Sequence, residues 1–298
     1  MRQFDFLGKT KIFLPISLVL ILISMIVLIP GIRGLRMGID FTGGMEFEVL
    51  FTGPEDIADI RSKLGTIDAG DVDLTTSVIQ DAEGNKKVIT LQLDDSQIAD
   101  EIVAMLQANY SIAEDGISRS LIGQQVSKTL AEKGWQSVLL ALLAILVYIS
   151  WRFRLRYAVG AVAAVLHDVI IALGLFAIFQ VEVNLATIAA FLTIVGYSLN
   201  DTIVIYDRIR ENLKIERRKT VFEIINHSVN QSLSRTLNTS ITTFIPVIIL
   251  FLFGGSVLRG FSLALLIGVI VGTYSSMYIA NPILYAWTMK AGGVKTAK

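Results

Sequence analysis

Cysteine is absent from the 298-residue chain, and histidine occurs only twice, at His167 and His227. The lack of cysteine excludes disulfide bonds, thiolate metal sites and a cysteine nucleophile, and it leaves the redox compartment undecided. Two histidines are too few for the usual histidine-based metal site. The sequence also lacks a phosphate-binding loop, a nucleophile motif and a set of metal ligands. We therefore expect no enzyme activity, no metal and no cofactor.

Charged residues are scarce as well, forming 17% of the chain, whereas hydrophobic residues form 53%. Soluble domains carry roughly 25% charged residues. The apolar residues are concentrated in runs, and a run of about 18 or more predicts a membrane-spanning helix. The first run lacks a small-residue cleavage site, which favours a retained helix over a signal peptide. A bundle of six transmembrane helices is predicted, at residues 12–32, 135–151, 157–179, 185–206, 237–253 and 258–287.

The net charge of zero hides a separation of charge along the chain. Residues 33–133 contain 18 acidic and 9 basic residues, whereas the remainder contains 8 acidic and 17 basic residues. Basic residues cluster at Arg152, Arg154 and Arg156, at 208–219 and at 290–298. Short loops rich in lysine and arginine remain in the cytoplasm. The sequence therefore predicts cytoplasmic ends at 1–11 and 291–298, an extracytoplasmic domain at 33–133, and spans two to six within 134–290.

A small α+β domain is predicted between the first two spans. Residues 45–51 alternate apolar and acidic side chains, as a half-buried strand does. Further strands are predicted at 72–80, 87–93 and about 110–117, and helices at 55–64 and from Asp94 onward. The order β-α-β-β-α-β is the ferredoxin-like arrangement, which hosts many functions. The domain has no histidine or cysteine, so its scattered carboxylates indicate a solvated surface rather than acid–base catalysis.

Three motifs resemble those of a known membrane family. Gly38-Ile39-Asp40-Phe41-Thr42-Gly43-Gly44 follows the first span, and residues 196–211 and 259–276 belong to the fourth and sixth spans. Together they resemble the SecD/SecF protein-export family. The fourth-span motif GYSLNDTIVIYDRIRE is similar to that of the SecF branch. The likeness extends over nearly the whole chain, including the number of spans and the place of the outer domain.

The resemblance implies a subunit of the SecD–SecF complex in the bacterial cytoplasmic (inner) membrane. The implied partners are SecD, the SecYEG channel, a translocating unfolded polypeptide, protons and membrane lipid, with no nucleic acid. The proton gradient is the implied energy source. The family is related to RND exporters, which pair two six-helix halves, so a partner half is expected. Two other functions stay open: half of an RND-type exporter of small molecules or lipids, and a passive scaffold for the export channel.

Asp201 and Arg235 are the main candidates for a proton pathway. A charge within a span costs roughly 2.5–3.5 kcal/mol on insertion scales, which makes its retention a functional hint. The two residues have similar predicted depths, near the end of the fourth span and the start of the fifth. The resemblance also implies proton-pathway roles for an aspartate and an arginine at these positions. The hypothesis is that Asp201 exchanges a proton while Arg235 changes its preference for the charged state. The alternative is a static ion pair.

Further polar residues of the spans are weaker candidates. Asn200 and Ser198 are assigned to the proton pathway because they lie next to Asp201 in the sequence. His167 and Asp168 lie deep in the third span and are also assigned to the proton pathway. Because adjacent helical residues point about 100° apart, the two are not expected to face the same path. Their alternative role is interhelical hydrogen bonding or contact with the partner half. Hydroxylated residues of the last two spans either line a hydrated path or permit close helix packing.

The glycine-rich segment around Asp40 is predicted to be a hinge between the first span and the outer domain. Gly38, Gly43 and Gly44 permit backbone geometry that is closed to other residues. Such a hinge transmits movements of the membrane helices to the domain. The alternative is an ordinary connecting turn.

Overall fold

The computed structural model describes residues 4–53, 57–64, 73–81, 84–93, 96–152 and 155–290. Arg154, the first two residues of the helix predicted at 55–64, and the predicted cytoplasmic segment 291–298 lie outside these ranges. In chain order the elements are α1 Thr10–Val27, β1 Arg36–Met37, α2 Ile39–Thr42, β2 Gly44–Phe51, α3 Ile57–Leu64, β3 Asp73–Asp81, β4 Gly84–Leu93, α4 Ser96–Asn109, β5 Ile112–Ile122, α5 Gln124–Arg152, α6 Leu155–Phe179, β6 Glu182–Val183, α7 Leu185–Ile215, α8 Val221–Phe253, α9 Gly255–Tyr278 and α10 Ala280–Lys290.

Six helical segments are long and apolar enough to cross a membrane, which confirms the six predicted spans. They are α1, α5, α6, α7, α8 and the segment Leu258–Lys290 that α9 and α10 share. About half of the residues in the apolar parts of α6, α7 and α9–α10 are buried, whereas α1, α5 and α8 are mostly exposed. The bundle therefore has an inner group of helices and an outer group that covers it.

Three of the helices start or end well beyond their predicted bounds. α5 begins at Gln124 and not at residue 135, α8 begins at Val221 and not at residue 237, and α7 continues to Ile215 beyond residue 206. A capping box starts α8: Thr220 accepts a hydrogen bond from the backbone of Glu223, whose side chain accepts one from the Thr220 backbone. Hydropathy detects only the apolar part of a helix, so polar turns outside the membrane were missed.

The first and last spans are shorter or more broken than predicted. α1 ends at Val27, ahead of Pro30 and of Gly31, whose φ is 97°. The last span was predicted as one helix but is interrupted at Ile279 between α9 and α10. The side chain of Asn281 donates to the carbonyl oxygens of Ser276 and Met277, which satisfies backbone groups near this break.

The outer domain holds a four-stranded sheet with the order β3-β4-β2-β5 and antiparallel pairing throughout. Along β2 the buried side chains are Phe47, Val49 and Phe51, which confirms the alternating strand predicted at 45–51. They share a hydrophobic core with residues of α3 and α4, among them Ile60 and Leu106. The elements from β2 to β5 follow the order β-α-β-β-α-β.

Candidate functional site

Asp201 is held on the inner side of α7, where its side chain is 2% exposed. Its oxygen Oδ2 is buried and has no hydrogen-bond partner within the described part of the chain. The carboxyl group faces Thr239 of α8 and lies within electrostatic reach of Arg235 on the same helix. A buried polar atom without a partner costs free energy, so the retention of Asp201 here indicates a functional role.

Arg235 lies one turn before Thr239 and is exposed on the surface of the bundle. The Thr239 hydroxyl donates to the Arg235 carbonyl oxygen, which ties the two residues into one turn of α8. The structure therefore brings Asp201 and Arg235 to one helix interface, as the sequence suggested. Among the described residues, their side chains form no direct ion pair.

Asp168 is a second buried carboxylate, on α6, and is 1% exposed. Its Oδ2 accepts hydrogen bonds from Ser198 of α7 at 2.5 Å and from Ser275 of α9 at 2.8 Å. Its Oδ1 lies 2.8 Å from Nδ1 of His167. Three helices of the inner group therefore meet at one carboxyl group.

The side chains of His167 and Asp168, which were predicted not to face the same path, contact each other. The imidazole of His167 bends toward its neighbour and contacts it through Nδ1, since a long side chain can bridge the angle between adjacent positions. The ring also stacks on Tyr274 at 5.9 Å between centroids. Tyr274 in turn donates to the Phe13 carbonyl oxygen and shares a hydrogen bond with Ser17, so the cluster extends to α1.

Ser198 and Asn200 occupy different places from those that adjacency in sequence suggested. Ser198 is buried on Asp168 rather than on Asp201. Asn200 is exposed on the outside of the bundle. Tyr274 and Ser17 were missed by sequence reasoning, although Ser17 is a rare polar residue within the first apolar run.

A line of hydroxyl groups connects α8 and α9 near Asp201. Ser240 of α8 and Thr273 of α9 lie 2.6 Å apart at their hydroxyl oxygens, and Ser240 also donates to the Thr236 carbonyl oxygen. The hydroxyl oxygen of Thr236 is buried without a partner among the described residues. This arrangement of hydroxyl groups is compatible with both alternatives given above for the last two spans, close helix packing and a hydrated path.

The predicted hinge is a fixed junction on the membrane side and a turn on the domain side. Asp40 accepts a hydrogen bond from the backbone of Leu185 at 2.8 Å and so binds the first turn of α7. Gly43 and Gly44 have φ values of 75° and 107°, which only glycine adopts readily. Gly38 has an ordinary φ, but a Cβ there would clash with the Glu182 side chain.

A short ribbon supports this junction, and carboxyl groups surround it. Arg36 and Met37 of β1 pair in parallel with Glu182 and Val183 of β6, the short strand that precedes α7. Glu46, at the start of β2, faces this ribbon. Burial, then the negative charges of Glu182, Glu48 and Asp40, raise the pKa of Glu46 from 4.5 to about 7, against an opposing effect of Arg36.

Two family descriptions match the sequence over these features. "Protein export membrane protein SecD/SecF, C-terminal" matches residues 102–290, and "SecD/SecF GG Motif" matches residues 29–55. The first match includes Asp168, Asp201 and Arg235, and the second includes Asp40 and its glycines. The chain belongs to the SecD/SecF family. Within this family, several curated relatives are described as SecF proteins.

The "Protein translocase subunit SecF" of Desulfurispirillum indicum is 43% identical over 91% of this chain and 88% of the relative. The protein of the same description from Petrotoga mobilis is 40% identical over 95% of this chain and 96% of the relative. These SecF proteins therefore match the chain along nearly its whole length, including the outer domain.

Solved SecDF structures share the fold. The crystal structure of SecDF, a translocon-associated membrane protein from Thermus thermophilus, superposes with a TM-score of 0.83 at 32% identity. It covers 97% of this chain, whereas the chain spans only 39% of that SecDF chain. SecDF in a super-membrane-facing form superposes with a TM-score of 0.69. The family and the six spans together identify a multi-pass membrane protein.

Proposed function

We propose that this chain is the SecF half of a SecD–SecF complex that assists Sec-dependent protein export across the bacterial cytoplasmic membrane and is driven by the proton gradient. The observation that carries the proposal is Asp201, buried with an unpartnered oxygen beside Arg235. In this proposal the chain is a transport subunit rather than an enzyme, and it needs no cofactor.

A SecD-like partner half covers the face of α7 and α8 in this proposal. Asn200 of α7 and Arg235 and Asn238 of α8 are exposed along the part of the bundle that lies in the membrane. Polar and charged side chains within a membrane almost always face a protein interior or a water-filled cavity, because exposure to lipid is costly. The SecDF chain, of which this chain matches 39%, is long enough to supply such a partner half.

Asp201 exchanges the proton in this mechanism. While Arg235 is close, its charge favours the ionised carboxylate, and when α8 moves away the buried carboxyl group takes up a proton. Because Arg235 is exposed at the edge of the bundle, it is free to respond to the partner half. Each elementary charge that crosses a potential of 100 mV releases about 2.3 kcal/mol, which supplies the work.

The orientation follows from the charge distribution. Both termini lie in the cytoplasm, and the ferredoxin-like domain of β2 to β5 lies outside, where it meets an unfolded polypeptide leaving the SecYEG channel. The contact between Asp40 and the first turn of α7 links this domain to the helix that carries Asp201. The glycine turn at Gly43 and Gly44 then lets the domain change its angle on that support.

The test compares two aspartates of α7. Asp201→Asn removes the titrating group but keeps its size and hydrogen-bonding capacity. Asp207→Asn is the matched control, because Asp207 is a partly exposed carboxylate six residues further along, paired with Arg152 and Arg210. We expect the Asp201 variant, assembled with its SecD partner in vesicles, to lose proton uptake and the stimulation of export, and the Asp207 variant to keep both.

The rival functions give other outcomes. Full export stimulation by the Asp201 variant would favour the passive scaffold. Proton uptake that depends on Asp201 without any effect on export would favour an exporter of small molecules or lipids. Co-purification of a SecD-like chain and channel subunits in mild detergent distinguishes these cases independently of activity.

A further inference from the structure

Asp168 is a buried carboxylate that the proposed mechanism does not use. Its surroundings differ from those of Asp201 in one respect: every side-chain oxygen of Asp168 has a partner. Oδ2 accepts from Ser198 and Ser275, and Oδ1 contacts Nδ1 of His167. These contacts hold the carboxyl group between three helices, while Nε2 of His167 is buried without a partner among the described residues.

Two of the helices that Asp168 joins, α7 and α9, approach each other closely. A Cβ at Gly268 of α9 would clash with the Ile194 side chain of α7, and a Cβ at Gly272 would lie 3.1 Å from the Cβ of Ser198. Small residues of this kind let two helix backbones approach within a membrane. Asp168 of α6 closes this interface by holding one serine from each helix.

This arrangement fixes the helix that carries Asp201. Ser198 lies three residues before Asp201, about one helical turn away on α7, so the direction of the one side chain sets that of the other. α8 is attached differently: few residues of its apolar part are buried, it reaches α9 through the hydroxyl pair of Ser240 and Thr273, and its polar part is hydrogen-bonded to Asn212 of α7. Because α8 is the helix that moves in the proposed function, we call it the movable side of the Asp201 site, and we call α6, α7 and α9 the rigid side.

We propose that Asp168 is a positioning residue, a hydrogen-bond acceptor that locks α6, α7 and α9 in one register and so keeps Asp201 facing Arg235, and that it does not itself carry protons through the cycle. This inference rests on the proposed function for the role of Asp201. It selects the second of the two roles that the sequence left open for Asp168, interhelical hydrogen bonding.

Asparagine at position 168 distinguishes a positioning role from a proton-carrying role, because the three contacts are divided between the two carboxyl oxygens. Both serine bonds go to the same oxygen, so the single carbonyl oxygen of an amide can accept them both. The amide nitrogen then takes the place of Oδ1 and donates to Nδ1 of a neutral His167 whose proton is on Nε2. Asp168→Asn therefore keeps the contacts and removes the titrating proton, whereas Asp168→Ala removes both.

The experiment measures the pH dependence with which a hydrophobic carbodiimide modifies Asp201, read by mass spectrometry on the full chain assembled with its SecD partner. Arg235 and Thr239 are the groups that face this carboxyl from α8. We expect Asp168→Asn to keep the wild-type midpoint of Asp201 modification and the proton-coupled stimulation of export. We expect Asp168→Ala to lose stimulation and to move the midpoint by about one pH unit or more, since Asp201 no longer faces its partners in the same way.

Three results would overturn the inference: loss of stimulation in Asp168→Asn to the extent seen in Asp201→Asn, carbodiimide modification of Asp168 itself in the wild type, or an unchanged midpoint in Asp168→Ala. The Ser198→Ala/Ser275→Ala double variant provides a second measurement, because it leaves Asp168 in place and removes both donors. An effect like that of Asp168→Ala supports the positioning role. If Asp201→Asn is fully active the proposed function fails, but the labelling midpoints still report whether Asp168 positions Asp201.

Discussion

Asp168 and Asp201 are both almost completely buried in the same bundle, yet they have opposite surroundings. Asp168 has a partner for each oxygen and joins three tightly packed helices. Asp201 has an oxygen without a partner among the described residues and faces Thr239 of α8, a helix of the outer group. If Asp201 exchanges the proton as proposed, burial alone does not mark such a group. The difference between the two carboxylates is then the incomplete set of partners around Asp201.

The largest effect, on the stimulation of export, is expected when α8 loses the charge of Arg235. Arg235→Gln should reduce proton-coupled stimulation of export by tenfold or more, about 1.4 kcal/mol or more in activation free energy. The same variant should leave thermal unfolding of the isolated chain in detergent nearly unchanged, because Arg235 is exposed. Arg217→Gln, which removes an exposed arginine of the loop before α8, is the control and should change neither quantity. A large drop in stability of the Arg235 variant would show that the two sides do not differ as described.

A smaller effect, on stability, is expected on the rigid side. Gly268→Ala places a Cβ against the Ile194 side chain, and overpacking of this kind typically costs about 1–3 kcal/mol. Gly196→Ala is the matched control on α7, since a Cβ there meets no atom within 4 Å and alanine favours a helix by roughly 0.8–1.0 kcal/mol over glycine. In denaturant unfolding of the isolated chain, the Gly268 variant should be less stable than the wild type and the Gly196 variant should not. Equal stability of the two would argue against a tight α7–α9 interface.

The smallest effect concerns a third carboxyl, Glu46, outside the membrane. Because burial and neighbouring negative charges raise its pKa to about 7, the folded domain binds a proton that the unfolded chain releases above its ordinary pKa of 4.5. The stability of the domain should therefore fall as pH rises from about 4.5 to about 7 and then level off. Glu46→Gln should flatten this decline, and Glu101→Gln, an exposed residue of α4, should not. The check is hydrogen exchange of the β2 amides across this pH range. A decline that persists in the Glu46 variant would assign it to another group.

The sequence predicted the parts of the fold that depend on local patterns. Apolar runs located all six spans, and alternation located the buried face of β2. The start of α8 at Val221 was missed because its first turns are polar and are stabilised by a cap rather than by an apolar run. The ribbon of β1 and β6 was missed because two-residue strands carry no periodicity, and their pairing joins segments far apart in sequence.

The candidate site was predicted less completely, for a similar reason. Asp201 and Arg235 stood out because charges are rare in spans. The contacts of Asp168 with Ser198 and Ser275 depend on how three helices pack, which no local pattern specifies. The contact of His167 with Asp168 was not anticipated either, because the angle between adjacent helical positions describes where side chains start and not where they end.

The long helix α7 gives the molecule a direct mechanical connection between its two ends. Its 31 residues extend for about 45 Å, and its first backbone amide is bound by Asp40, in the stem of the outer domain. In the proposed function, a displacement that α7 makes together with α6 and α9 would therefore reach that stem along a single helix. The glycine pair that follows Asp40 would be the pivot on which the outer domain turns.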